Sequence, residues 1–405
     1  MGDYVVRCVS DGSVQPPHAL SCPNDPSLLR TDYTSKRLDL KDLPGIWKFY
    51  DWLPVKGIIP EASGGPVTYR STGLAKELGL KNLYISFSGY WPEREARMQT
   101  CSFKDLEAPP TMQRLRERED SPTLVVASAG NTARAFAQVA SLTGQTLVLF
   151  VPEKAVARMW ITVERGPVTL VCVKGDYYDA ITVAEKVQSR RGFVPEGGAR
   201  NVARRDGMGT VVLDAALTIG RIPEHYFQAV GSGTGGISAW EAAMRLIEDG
   251  RFGSRLPRLH LAQNTPNAPI YYAWTGAEPK PFSPEMFDDV LFNRRPPYSI
   301  PGGVKDALDA TNGQVYGISD REASEAKRLF EESEEIDILN APGVAVAALA
   351  QAAKDGTVGS DDIILLNITG GGVSRLKEDF SPSALKCDIA VSGAEEAVEF
   401  LEGRS

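Results

Sequence analysis

The stretch T-C-S-F-K-D-L-E-A at residues 100–108, followed after a polar helix by L-V-V-A-S-A-G-N-T-A at 124–133, decides the fold. It sets one lysine, Lys104, near a turn of small residues: Ser128, Ala129, Gly130, Asn131 and Thr132. That turn follows an apolar, strand-like run and opens a helix. A helix start points unpaired backbone N–H groups outward and carries partial positive charge, so it suits a carboxylate or phosphate. A lysine beside such a loop can hold a carbonyl compound as a Schiff base, because only a primary amine condenses with an aldehyde in this way. Most lysines are simply solvated, and S-F-K-D alone is a weak signal. The order of the loops downstream gives it weight.

Outward from this stretch, strands and helices alternate. Strands are expected at 83–85, 123–127, 146–151, 168–173, 225–230, 259–263 and 363–368. Helices are expected at 131–142, 177–190, 237–248, 320–332 and 341–354. Such alternation predicts an α/β protein of two domains, with largely parallel sheets covered by helices and ligands beyond the carboxyl ends of strands. Two more small-residue loops sit after strands: Gly231-Ser232-Gly233-Thr234-Gly235-Gly236, and Thr369 before three glycines. Glycines let a backbone approach phosphate oxygens closely and turn its N–H groups toward them. The G-x-G-x-G-G spacing, deep in the chain, departs from the G-x-G-x-x-G dinucleotide fingerprint and disfavours an oxidoreductase. Residues 268–303 are proline-rich and weakly periodic, which suggests a long loop near the cleft.

The 405 residues suffice for two substantial cores, and 42% hydrophobic with 24% charged residues is an ordinary globular composition. The net charge of −8 argues against nucleic acid or an anionic membrane as partner, but a local basic cluster can still attract an anionic substrate. Such a cluster exists at Arg200, Arg204 and Arg205, whose guanidinium forks suit phosphate or sulfite oxygens. Arg294 and Arg295 are a weaker second candidate. Five scattered cysteines, no apolar run near the roughly 20 residues of a membrane helix and no apolar signal region lead us to expect a reducing cytoplasm. Cys8/Asp11 and Cys22/Asp25 look like two halves of a zinc ribbon with Asp in place of the second Cys. Structural zinc sites are predominantly Cys/His, so a metal-free remnant is expected. The aromatics between Asp42 and Trp91 read mainly as packing.

The pair S-F-K-D and S-A-G-N-T resembles threonine synthase and its relatives, the pyridoxal-phosphate (PLP) enzymes of fold type II with a tryptophan-synthase-β-like architecture. Several segments are similar to one branch, the cysteate synthases of methanogenic archaea. These are P-G-I-W-K-F-Y-D-W-L-P-V (44–55), Y-I-S-F-S-G-Y-W-P-E (84–93), P-E-G-G-A-R-N-V-A-R-R-D-G-M-G-T (195–210) and H-Y-F-Q-A-V-G-S-G-T-G-G-I-S-A-W-E-A (225–242). The resemblance implies pyridoxal 5'-phosphate in an interdomain cleft, bound to Lys104. Asn131 would meet the cofactor's phenolic oxygen, Gly231 to Gly236 its phosphate, and Thr369 its ring nitrogen. Ser128 to Thr132 would hold the substrate carboxylate. It further implies O-phospho-L-serine and sulfite as substrates, L-cysteate as product for coenzyme M, no metal, and a homo-oligomer, with a trimer as one form. The expected domains are a ribbon-like segment at 1–40, a lysine-bearing domain at 41–195 and a phosphate-loop domain at 196–405, with segments exchanged. Threonine synthase acting on O-phosphohomoserine is the nearest alternative, and a non-catalytic amino-acid-binding protein is one of another class.

Overall fold

The computed structural model describes residues 3–128 and 130–403. Two sheets organise it. The larger runs in the order Gln314–Ile318, Arg258–Asn264, His225–Ala229, Ile363–Ile368, Asn82–Phe87, Val67–Arg70. Its strands are parallel except the last, which pairs antiparallel with its neighbour. The smaller runs Phe193–Pro195, Thr123–Ala127, Leu147–Pro152, Val168–Val173, Ile389–Val391, and all its pairings are parallel. Strands buried on both faces need apolar side chains at every position, and Leu147–Pro152 is buried throughout. Helix starts are set locally. Asp176 and Ser319 each form a reciprocal capping box, at the helices Tyr177–Gln188 and Asp320–Glu334.

The expected linear boundary at residue 195 does not follow the sheets. Val67–Arg70 and Asn82–Phe87 join the sheet built mainly from the second half of the chain, and Ile389–Val391 edges the other. Segments are thus exchanged at both ends. The 18-residue helix Val202–Ile219 carries the basic cluster at its start and is buried along most of its length. A helix buried on all sides shows little amphipathic periodicity, which is why periodicity does not announce it.

The N-terminal segment forms a three-stranded antiparallel sheet of Val14–Gln15, Tyr4–Cys8 and Leu29–Tyr33. It docks on that buried helix: Thr31 Oγ1 and Tyr33 OH both donate to Asp206, the latter at 2.6 Å. Cys172 and Cys387 form a disulfide with Cα atoms 6.0 Å apart, while Cys8, Cys22 and Cys101 are free and buried. Among the described residues no helix is long and apolar enough to cross a membrane.

Candidate active site

The loops after three strands meet in a cavity of about 120 Å³. Its walls carry Lys104, the turn Ser128, Gly130, Asn131 and Thr132, the loop Gly231 to Gly235, and Thr369. Ala129 lies outside the described residues. The lysine reaches this place because its segment is stitched to the end of Ile363–Ile368. Phe103 N donates to Thr369 O at 3.0 Å, and Gly371 N donates to Cys101 O at 3.1 Å. Gly370 permits the approach: a Cβ there would sit 2.7 Å from Cys101 O.

Lys104 opens a chain of alternating charges. Its Nζ lies 2.5 Å from Glu107 Oε1, and the other Glu107 oxygen lies 3.1 Å from Arg204 Nη2. Arg204 Nη1 then donates to Glu196 at 2.9 Å. Glu107 is fully buried and Arg204 nearly so. Burial lowers the Lys104 pKa; Glu107 pulls it up and Arg204 pushes it down, and the net shift is downward. Arg204 goes the other way, because Glu107 and Glu196 outweigh the cost of burying it. The lysine is therefore biased toward its neutral, nucleophilic and basic form, while the arginine stays charged.

At the same cavity, the helix Thr234–Asp249 begins at Gly233, which holds φ at +80°. The N–H groups of Ser232, Gly233 and Gly235 have no acceptor among the described residues. The Ser232 and Thr234 hydroxyls lie 2.7 Å apart beside them. Free donors at a helix start, with two hydroxyls, suit a phosphate dianion. Asn131 Oδ1 accepts from Arg134 Nη2 at 3.1 Å, and its amide –NH₂ has no partner among the described residues. The Thr369 hydroxyl has no partner among the described residues and lines the same cavity. An amine, a cluster of anion-binding donors, an amide and a lone hydroxyl are what a phosphorylated pyridine aldehyde requires, so the donor set fits PLP.

Other expected residues are placed elsewhere. Gly236 packs on the sheet, where a Cβ would meet Leu261 at 2.9 Å. Of the three arginines expected to bind substrate anions, only Arg204 lines the cavity. The structure does not bring the other two to this cavity. Arg205 is 1% exposed and tied to Glu241, Ala199 O and Leu29 O. Arg200 Nη1 donates to Pro26 O at 3.4 Å. Both secure the helix start to the N-terminal sheet. Arg294 pairs with Asp176, and Arg295 stacks over Tyr178. They line a neighbouring cavity of about 640 Å³ that shares Tyr177, Phe292 and Asn293 with the first. The 268–303 segment thus borders the cleft as expected, through Val290 to Asn293. In the N-terminal sheet, ligand atoms of Cys8, Asp11 and Cys22 lie within 4.8 Å of one another, and Asp11 is already bonded to Ser13 and Asn24. Sequence reading missed Glu107, Glu196 and Tyr177. Only Glu107 left a trace, three residues after the lysine, where a helical turn brings it alongside.

Two α/β layers with a half-buried lysine and a glycine-rich helix start lining one cavity define a fold-type II PLP enzyme. A family profile described as "Pyridoxal-phosphate dependent enzyme" matches residues 64–370. The chain is 60% identical over 394 residues to a cysteate synthase of Methanococcoides burtonii, covering 97% of this chain and 94% of that one. It is 59% identical over 411 residues to the cysteate synthase of Methanothrix thermoacetophila, covering 99% of each. The chain belongs to the cysteate synthases within the PLP-dependent enzymes. Among solved structures, maize serine racemase aligns with TM-score 0.59 at 14% identity, covering 78% of this chain and 91% of that one. A fungal L-serine ammonia-lyase from Rhizomucor miehei aligns with TM-score 0.58 at 15% identity, covering 78% and 100%. These two likenesses concern the fold alone.

Proposed function

We propose that the protein converts O-phospho-L-serine and sulfite to L-cysteate and phosphate with PLP, in the cytoplasm and as a homo-oligomer. The observation that carries this reading is the near-full-length identity with cysteate synthases. The loop geometry supports the cofactor and the elimination chemistry. When bound, the cofactor supplies an aldehyde that condenses with an amine and a ring that withdraws electrons from the α-carbon.

The chain's own residues do the rest. Ser232, Gly233, Thr234 and Gly235 offer their donors to the cofactor phosphate. Asn131 and Thr369, both on the cavity wall, would orient the ring. The turn at Ser128 to Thr132 offers N–H groups and hydroxyls to the substrate carboxylate. Lys104, whose pKa burial lowers, takes the α-proton and returns it, and Glu107 beside its Nζ steadies the charge gained. In the net reaction the β-carbon loses its C–O bond to phosphate and gains a C–S bond from the sulfur lone pair of sulfite.

The experiment is direct: purified holoenzyme is given O-phosphoserine with and without sulfite, and L-cysteate and phosphate are quantified. Cysteate in proportion to phosphate supports the reading. Threonine formed from O-phosphohomoserine instead, with no cysteate, refutes it.

Two further outcomes are expected. Arg204→Gln should raise the Michaelis constants for phosphoserine and sulfite together, each by at least about tenfold. It removes one positive charge from the cavity wall, leaving Glu196 without its cation and Glu107 with Lys104 alone. Arg200→Ala should leave both constants near wild type, because its side chain lies outside the cavity. Equal constants in the two variants would remove Arg204 from the anion site. Thr369→Asp should slow replacement and alter the visible spectrum at normal cofactor content, since a carboxylate favours a protonated ring nitrogen. Unchanged rate and spectrum would place Thr369 away from the ring.

A further inference from the structure

Arg134 is a buried cation that the reading above does not use. It is 5% exposed, and no carboxylate lies within ion-pair distance of it among the described residues. Burial pulls its pKa down to about 10, a cost a surface arginine would not bear. What it does with its donors is specific. One nitrogen, Nη2, donates to Thr100 O at 2.6 Å and to Asn131 Oδ1 at 3.1 Å. Its guanidinium lies over the Trp160 ring at 4.3 Å, which fixes the plane from the far side. Thr100 is held at its other atoms too: its N–H donates to Asp105 Oδ2 at 3.0 Å and its hydroxyl donates to Oδ1 at 2.5 Å.

An arginine can only donate, so whatever faces it on Asn131 must be the amide oxygen. The amide –NH₂ is thereby turned away from Arg134. Asn131 lines the cavity, and its –NH₂ has no partner among the described residues. The same guanidinium also joins the start of the helix Asn131–Thr143 to the segment that carries Lys104.

We propose that Arg134 is a positioning residue: it locks the Asn131 amide with its donors toward the cofactor and holds that helix start in register with the lysine segment. The proposal rests on the cofactor-facing role given to Asn131 above, and the experiment separates the two. Cofactor dissociation constants and visible absorption maxima are measured for the holoenzyme forms of wild type, Asn131→Ala, Arg134→Leu and the double variant. Each single variant is expected to hold the cofactor about tenfold more weakly and to move the band in the same direction. The double variant should be no weaker than Asn131→Ala alone. Additive losses, or a wild-type band in Arg134→Leu while Asn131→Ala shifts, overturn the proposal. An Asn131→Ala variant with wild-type band and affinity overturns the role of Asn131 itself. If Arg134→Leu does not accumulate as folded protein, Arg134→Lys takes its place, keeping the buried charge without the planar fork. A band shift toward that of Asn131→Ala supports the proposal, and wild-type spectrum and affinity overturn it.

Discussion

Lys104→Ala is expected to lower turnover by at least about a thousandfold and to erase the visible band of the covalently held cofactor. Lys104 is the only lysine among the described residues lining the cavity, so no other primary amine can replace it. Arginine does not serve, because its pKa leaves it protonated, and Arg204 is further raised by Glu107 and Glu196. The fold should survive. Glu107 keeps its contact with Arg204, and the Phe103–Thr369 and Gly371–Cys101 backbone bonds do not involve the lysine side chain. Thermal unfolding of the variant within a few degrees of wild type, together with lost activity and lost band, is the combined outcome. An intact band in the variant would move the Schiff-base role to another residue. Added small amines offer a second check, since an external base can partly replace a deleted one in a cavity of this kind.

Legibility in the sequence followed burial and locality. The strands Val168–Val173 and Ile363–Ile368 match their expected bounds, because each is a short apolar run bounded by polar or glycine-rich turns. The helix from Asn131 begins where expected, because Gly130 breaks the strand path with φ at +156°. The edge strands Val67–Arg70 and Gln314–Ile318 escaped notice because four or five mixed residues carry little pattern. At the site, the three loops were readable since each follows a strand and each has its own chemistry. The charge chain was not. Arg204 meets Glu107, 97 residues earlier in the chain, because the helix Val202–Ile219 packs against the lysine segment. Arg200, Arg204 and Arg205 look equivalent in sequence, yet a helix turns successive residues by about 100°, so one faces the cavity while its neighbour enters the core. Composition gives no access to that choice.

The second large effect concerns the proposed phosphate loop. Gly233→Val should lower cofactor affinity by at least about a hundredfold, on two grounds that act together. The backbone there holds φ at +80°, a region a β-branched residue occupies only at a cost of about 1–3 kcal/mol. A Cβ at that position would also sit 2.4 Å from Val304 Cγ2 and 3.3 Å from Ile270 Cδ1. Relief requires the loop to move, and the loop carries the free N–H groups of Ser232, Gly233 and Gly235 with the start of Thr234–Asp249 behind them. Donors displaced by even a fraction of an ångström lose alignment with a phosphate they must all reach at once. Gly235→Val tests the clash without the positive φ, since its Cβ would lie 2.2 Å from Gln228 Nε2, and it should fail in the same direction. Gly220→Val supplies the contrast. Its φ is +83° but nothing lies within 4 Å of the added carbon, and it caps a helix end away from the cavity. It should cost stability through strain alone and keep a full complement of cofactor. Copurification of Gly233→Val and Gly235→Val with wild-type cofactor content would mean that the phosphate is held by some other part of the chain.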